Sequence, residues 1–527
     1  MLRRRRLALS VSVSLGLLTA CTSGSGPDIR TGPGTPATTS AAPSASASAA
    51  RPSASTPVAP PASPAAAPVV KALAWQNCRN GFQCARLAVP LDRANPAAEA
   101  VSLRLIRIRA TDQGKRIGSL LVNPGGPGVS AVDFLRSFAS GSAPTALRQR
   151  FDLVAFDPRG TTGSTPVDCL GTADLDRFFH VDPDPDDAGE VQALDRANRD
   201  FVAGCRQRSG KALAHVSTEV AARDMDAVRA ALGEPRLTYL GYSYGTSLGA
   251  AYLSLFPTRV RAMVLDGALD PRLSWDQVLT GQGEGFERAF QSFLTWCDRT
   301  PRSCRFREDT QGDLTAAYDR IVARVETDPL PGSGSRTVGP GELSYGAGQA
   351  LYSTSYWPFL GTALAEAAKG QGRSLMTLSD LYLERDESGY ENTIEANYAV
   401  NCLDRPWPKD LSSYQRLADK LSRTAPHFGP AIAWSGSACA VWPVAPTGRP
   451  QTVRATGAPA VVVIGTTRDP ATPYAWAQGL ADQLDRGVLV TFDGDGHTAY
   501  RRGAVACIAE PVTAYLLTGK APPTTRC

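Results

Sequence analysis

Ser243 stands at the centre of Gly241-Tyr242-Ser243-Tyr244-Gly245, directly after the apolar run Leu237-Thr238-Tyr239-Leu240 and directly before a small-residue helical stretch. A strand, a sharp turn and a helix with serine at the turn expose the hydroxyl at the end of a sheet. The flanking glycines allow strand and helix to pack closely. Such a serine reads as a nucleophile for acyl transfer. Its hydroxyl is a poor nucleophile at neutral pH, so it needs a base in reach and a carboxylate fixing that base's tautomer. His497, in Gly494-Asp495-Gly496-His497-Thr498, follows the last apolar strand in a Gly-rich loop and is the expected base. The other histidines lack that setting: His180 lies in an acidic loop, His215 precedes a helix and His427 falls in an inserted region.

Asp469 ends the strand and loop Val463-Ile464-Gly465-Thr466-Thr467-Arg468-Asp469 and is the expected acid. With proline at 470 it also suits a helix cap. Asp266 and Asp270 after an earlier strand, and Asp493 and Asp495 beside the histidine, are the alternative acids. A tetrahedral oxyanion needs two preorganised N–H donors, worth roughly 3–4 kcal/mol each. The loop Asn123-Pro124-Gly125-Gly126-Pro127-Gly128 follows the strand at Ser119 to Val122. It assigns the amides of Gly126 and Tyr244, with Gly125 as the substitute for Gly126. A phosphate loop is disfavoured, since neither a Walker lysine nor G-x-G-x-x-G spacing is present.

The elements that must position these groups are short apolar runs, each followed by Gly, Pro or Asp: Ser119 to Val122, Phe151 to Phe156, Leu237 to Leu240 and Met263 to Leu265. Two more follow late in the chain, Ala460 to Ile464 and Gly487 to Thr491. Segments with helical spacing, such as Thr218 to Leu232 and Ala504 to Leu517, lie between or after them. Continuous apolar strands alternating with helices predict an α/β fold, a mostly parallel sheet covered by helices on both faces. Val101 to Arg109 alternates apolar and basic residues, as a half-buried edge strand does. Between Asp270 and about Gly457 aromatic-rich helical segments replace this pattern, which predicts a large, mainly helical cap. The expected organisation is a core over 71–270, the cap over 271–457 and the rest of the core over 458–527.

At the start of the chain, Arg3 to Arg6 and an apolar stretch from Leu7 to Leu18 read as an export signal over residues 1–20. Leu18-Thr19-Ala20-Cys21 resembles a bacterial lipobox, in which Cys21 would be lipidated. Residues 22–70 are dominated by Ala, Ser, Pro, Thr and Gly, a composition that cannot offset chain entropy by burial, so a disordered tether is expected. Four of the five net positive charges are the signal arginines, leaving the mature chain at +1. Nothing basic remains for nucleic acid. Apart from Cys21 the cysteines number ten, and in an exported chain that favours disulfides. Neighbouring couples suggest Cys78 with Cys84, Cys169 with Cys205, Cys297 with Cys304, Cys402 with Cys439, and Cys507 with Cys527. No C-x-x-C pair occurs and the histidines are scattered, so neither a metal nor another cofactor is expected.

Taken together, the Gly-Gly-Pro-Gly loop, Phe156-Asp157-Pro158-Arg159-Gly160, Gly-Tyr-Ser-Tyr-Gly-Thr and the late Asp469 and His497 resemble the actinobacterial secreted tripeptidyl and prolyl aminopeptidases of the α/β-hydrolase fold. That family includes mycobacterial cell-envelope serine proteases also described as carboxylesterases. The order serine, aspartate, histidine agrees. The resemblance implies a serine exopeptidase taking short peptides from free N-termini; with the lipobox at Cys21, the expected setting is outside the cell on a lipid anchor, as a monomer. A carboxylesterase or lipase with the same triad is the alternative. Classical proline iminopeptidases carry a histidine before Gly-Gly-Pro-Gly, where this chain has Asn-Pro. An aminopeptidase must also hold a cationic amino group, so a cap carboxylate is expected in the cleft. Glu391, Glu395 and Asp404 are the candidates.

Overall fold

The computed structural model describes residues 73–501 and 503–527. The signal, Cys21 and all of the tether lie outside the described residues. Ten strands form one sheet: β1 (Gln76–Asn77), β2 (Phe82–Pro90), β3 (Ala100–Ile108), β4 (Gly118–Asn123), β5 (Phe151–Phe156), β6 (Leu237–Tyr242), β7 (Val260–Asp266), β8 (Val461–Arg468), β9 (Gly487–Asp495) and β10 (Thr525–Arg526). Their spatial order is β1-β2-β3-β5-β4-β6-β7-β8-β9-β10. From β5 onward neighbours run parallel, and β1 to β3 add an antiparallel flank. Strands β4, β5 and β6 are buried along their whole length, as continuous apolar strands covered on both faces must be.

Six helices bear on the site: α1 (Ala131–Ser137), α2 (Thr218–Ala231), α3 (Tyr244–Leu255), α4 (Pro340–Leu351), α5 (Thr393–Asp404) and α6 (Ala506–Thr518). On one face of the sheet Met225 and Val228 of α2 and Leu248 and Leu253 of α3 pack against Tyr239, Met263 and Val463. On the other, Val132 and Leu135 of α1 and Val512 and Tyr515 of α6 pack against Val122, Leu240 and Ile464. Burying apolar side chains on both faces stabilises the sheet and fixes which strand ends share one rim.

Two sequence expectations change. Val101 to Arg109 is not an edge: β3 pairs with β5 on one side and, from Ala100 to Ile108, with β2 on the other. Its alternation reports one half-buried face, and β2, which pairs along its outer side, alternates in the same way from Ala85 to Val89. Nor is the cap confined to 271–457. The helices Thr172–His180 and Ala188–Ser209 bury Phe179, Phe201 and Cys205 with Ala399, Cys402 and Trp442 of the later segment, so part of the stretch assigned to the core belongs to the cap. Between β7 and β8 the regular elements are helices apart from two small hairpins, at Leu330–Pro331 with Thr337–Val338 and at Arg385–Asp386 with Gly389–Tyr390. This segment has its own core around Phe290, Phe293, Tyr318 and Leu360. All five suggested cysteine couples are disulfides. Such bonds persist in oxidising compartments.

Candidate active site

Ser243 follows β6 and precedes α3 with φ 52° and ψ −125°, a left-handed conformation that a non-glycine residue holds only when its surroundings over-determine it. Those surroundings are explicit. Ser243 N–H donates to the Asp266 carbonyl at 2.9 Å, and the Ser243 carbonyl accepts from Thr246 N–H at 2.8 Å and from its hydroxyl at 2.6 Å. The glycines on either side are sterically required. A Cβ on Gly241 would lie 2.4 Å from the Gly245 carbonyl oxygen, and one on Gly245 would lie 2.8 Å from Asn123 Oδ1.

Asp469, beyond the end of β8, is fully buried, and both its oxygens lie 2.9 Å from His497 Nδ1. That contact places the imidazole proton on Nδ1 and the lone pair on Nε2. Asp469 Oδ1 also accepts the N–H groups of Ala471 at 2.9 Å and Thr472 at 2.8 Å, closing a turn around Pro470; it does not cap the next helix as Asp-Pro suggested, because that helix starts at Tyr474, after Pro473. The Thr472 hydroxyl donates to Oδ2 at 3.0 Å and lies 3.3 Å from His497 Nδ1. The base is also held from the cap: His497 N–H donates to the Tyr352 carbonyl at 2.8 Å, and the two rings meet edge to face at 5.4 Å. His497 Nε2 is buried and has no hydrogen-bond partner among the described residues, Ser243 included. Catalytic hydrogen bonds are often long before substrate binds. Burial pulls the imidazole pKa down, but the charge and hydrogen bond of Asp469, with the field of Asp266, outweigh it and hold it above 6.5.

The alternative acids are otherwise engaged. Asp266 accepts the N–H groups of Ala499 at 3.0 Å and Tyr500 at 2.7 Å, bracing the loop after the histidine, and burial pushes its carboxyl up to about 6. Asp270 pairs with Arg272, Asp495 with Arg468, and Asp493 with Arg468 and Arg526.

The Gly-Gly-Pro-Gly loop lies against the serine turn. Gly125, at φ 105°, could carry no side chain: its Cβ would sit 2.8 Å from Ser243 Cβ and 2.7 Å from the Tyr242 carbonyl oxygen. Its N–H is spent on Asn123 Oδ1 at 3.0 Å, so Gly125 is not the free donor. The amides of Gly126 and Tyr244 have no acceptor among the described hydrogen bonds. The neighbouring motif Phe156 to Gly160 is structural. Asp157 accepts from Val132 N–H and the Ser130 hydroxyl at the start of α1, and Arg159 forms a buried ion pair with Asp224 at 2.7 Å.

A cavity of about 870 Å³ opens in front of Ser243, bordered by Gly126, Tyr244, Thr472 and the cap aromatics Tyr345, Tyr352, Tyr382 and Tyr398. Of the three cap carboxylates only Asp404 borders it. Glu391 is exposed and away from it. Glu395 is a correction: its Oε1 accepts the N–H groups of Cys169 at 2.7 Å and Leu170 at 3.1 Å, so it ties α5 to the other cap segment and does not reach the cavity. Burial pushes its carboxyl up to about 7. Asp404 accepts from Thr218 N–H at 2.8 Å and the Thr218 hydroxyl at 2.5 Å, and that hydroxyl lies 2.6 Å from the Tyr244 phenol. Asp404 is thereby linked through one side chain to the residue after the serine. Tyr352 and Thr218 carry no sequence signal, and only their long-range contacts show their roles; Thr472 lies three residues from Asp469, but nothing in the sequence distinguishes its hydroxyl from any other.

With this geometry, known proteins can be compared. Residues 425–527 match the TAP-like protein family. Over 475 residues, 85% of this chain and 89% of the relative, the chain is 40% identical to serine protease Hip1 of Mycobacterium tuberculosis. It is 39% identical over 479 residues, 86% and 89%, to carboxylesterase B of the same organism, and 33% identical over 457 residues, 84% of each, to the tripeptidyl aminopeptidase of Streptomyces coelicolor. The chain belongs to this TAP-like family of α/β-hydrolases. It is a serine hydrolase. The fold agrees with that membership: a mostly parallel sheet, a strained serine after β6, and the remaining polar groups on loops after later strands. In this TAP-like chain the cap supplies both a wall of the cavity and a hydrogen bond to His497.

Proposed function

We propose that this TAP-like hydrolase is an exopeptidase that removes short peptides from free N-termini through Ser243, His497 and Asp469. The observation that carries the triad is the pairing of both Asp469 oxygens with His497 Nδ1 beside a serine held at φ 52°. As substrate closes the site, Nε2 takes the Ser243 proton while Oγ attacks the scissile carbonyl. The Gly126 and Tyr244 amides receive the oxyanion, and Nε2–H then protonates the leaving amine. A water, deprotonated by the same nitrogen, hydrolyses the acyl-enzyme. Asp469 stays ionised throughout and stabilises the imidazolium.

The peptidase reading draws on the relatives named serine protease and tripeptidyl aminopeptidase, and on Asp404 at the cavity wall as the acceptor for a substrate ammonium. A tripeptide aminomethylcoumarin compared with its N-acetylated form tests it. Acetylation is expected to remove most activity; equal hydrolysis of the two forms would refute amino-group recognition. The relative named carboxylesterase B supports the second reading, hydrolysis of esters with the same triad. Faster turnover of short p-nitrophenyl esters than of any free-amino peptide would favour it. We place the enzyme, as a monomer, outside the cell on a lipid-modified Cys21, on the lipobox-like Leu18-Thr19-Ala20-Cys21. Alkyne-fatty-acid labelling that survives in Cys21→Ala would overturn that anchor.

A further inference from the structure

One face of α5 borders the cavity. Ile394, Asn397, Tyr398, Asn401 and Asp404 follow the three- and four-residue spacing of a helical stripe, and Arg405 at the helix end continues it. The start of α5 is fixed to the loop that carries the Gly126 amide. The Thr393 carbonyl fills the space beside Gly128, where a Cβ would lie 2.2 Å away, and Asn397 Nδ2 donates to the Pro127 carbonyl at 3.3 Å. Seven residues of helix, at a rise of about 1.5 Å each, put Asp404 roughly 10 Å from Asn397 along the axis. An extended peptide covers that distance in about three residues.

Arg405 is unlike the other charged groups on this wall. Asp270 pairs with Arg272, Glu219 pairs with Arg223, and Asp404 accepts from Thr218. Arg449 and Arg454 are exposed to water. The Nε and Nη1 of Arg405 are buried without an acceptor, and no nitrogen of its guanidinium has a hydrogen-bond or ion-pair partner among the described residues. Arginine keeps its charge under nearly all conditions, and a shielded cation without an acceptor is costly. The field of the neighbouring Asp404 offsets part of that cost, and an anion entering the cavity and bonding to the guanidinium would offset more of it.

We propose that Arg405 binds the carboxylate of an acidic side chain on the substrate's free N-terminal residue, while Asp404 takes the adjacent α-ammonium. This rests on the exopeptidase reading and deepens it. The N-terminal residue of such a peptide carries opposite charges a few bonds apart, and consecutive Asp404 and Arg405 present the complementary pair about three extended residues along α5 from Asn397, which holds the oxyanion loop. A carboxylate against guanidinium gives charge-assisted hydrogen bonds that the corresponding amide does not.

The test compares Glu-Ala-Ala-aminomethylcoumarin with Gln-Ala-Ala-aminomethylcoumarin, the binding of Glu-Ala-Ala-amide and Gln-Ala-Ala-amide to Ser243→Ala protein being measured by calorimetry in parallel. The wild type is expected to show at least tenfold higher kcat/KM for the glutamyl substrate. The ratio should collapse towards one in Arg405→Gln and be partly kept in Arg405→Lys. Equal handling of the two substrates by the wild type, which needs no variant, overturns the proposal, as does an unchanged ratio in folded Arg405→Gln. If neither peptide is cleaved but Ser243→Ala still binds the glutamyl amide preferentially, and loses that preference when Arg405→Gln is added, the anion subsite stands and the exopeptidase reading falls. If both are cleaved without preference, the reverse holds.

Discussion

Asp469 holds five donors at once: His497 Nδ1, the amides of Ala471, Thr472 and Thr498, and the Thr472 hydroxyl. A carboxylate so anchored cannot rotate away from the imidazole, which is what a tautomer-fixing group requires. Thr472→Val removes one charge-assisted bond to Oδ2 and leaves the backbone bonds, so kcat/KM is expected to fall roughly tenfold, about 1.4 kcal/mol, with KM little changed. Steady-state kinetics at fixed pH reads this; a change confined to KM would mean that Thr472 acts on substrate directly. Asp469→Asn is expected to cost about 10⁴ in kcat, because the amide no longer selects the tautomer with a free Nε2. The pH profile belongs to the same group. The fold holds the His497 pKa above 6.5, and the base works unprotonated, so kcat/KM should rise with pH through an apparent pKa above 6.5. The protonated imidazole is the form the fold favours, so its contribution to stability is complete below pH 6.5 and is lost as pH rises through the folded-state pKa. An acid limb centred below 6.5 would contradict the balance of fields around this ring.

Among the elements, the serine turn and the Gly-Gly-Pro-Gly loop act as one piece, because Gly125 lies where any side chain would strike Ser243 and the Tyr242 carbonyl. Gly125→Ala is expected to abolish activity by at least 10²-fold while far-UV circular dichroism stays close to wild type; full activity would show that the two loops are not interlocked. Helix α5 divides differently. Its cavity face carries Asp404, whereas Glu395 points at the Cys169 and Leu170 amides, so Glu395→Ala should cost stability, roughly 1–3 kcal/mol, with little change in KM. A large KM effect at unchanged stability would return Glu395 to the substrate. These cases show what sequence could reveal. Ser243, Gly126 and His497 announce themselves because a strained turn and close backbone approaches need glycines at fixed offsets after apolar strands, and those offsets are local. A carboxylate facing solvent, a substrate or two distant amides looks the same in sequence, so Glu395 and Asp404 could not be separated there. Tyr352 and Thr218 were hidden because their partners, His497 and Asp404, lie more than a hundred residues away.

For the whole molecule, the sheet is held by apolar burial on both faces, whereas the cap adds covalent closure to its own apolar cores. Cys169–Cys205 and Cys402–Cys439 close segments with sequence separations of 36 and 37, and both lie in the apolar cluster that joins the two parts of the cap behind the cavity. Cys297–Cys304 closes a separation of only 7. Loop-closure entropy in the unfolded chain makes a bridge of the longer kind worth roughly 4 kcal/mol and one of the shorter kind roughly 2 kcal/mol. Paired Cys→Ser replacement should therefore lower thermal stability more at 169/205 or 402/439 than at 297/304, read by calorimetry on each double variant. The first two should also impair activity more than the third, since the cap that loosens is the one whose α5 face and Tyr352 carbonyl meet the substrate and the base. Equal destabilisation by all three would mean that native-state packing, and not the unfolded chain, sets the value of these bonds. Reduction of the intact enzyme to ten thiols with no change in melting would mean that the cap stands on its apolar core alone.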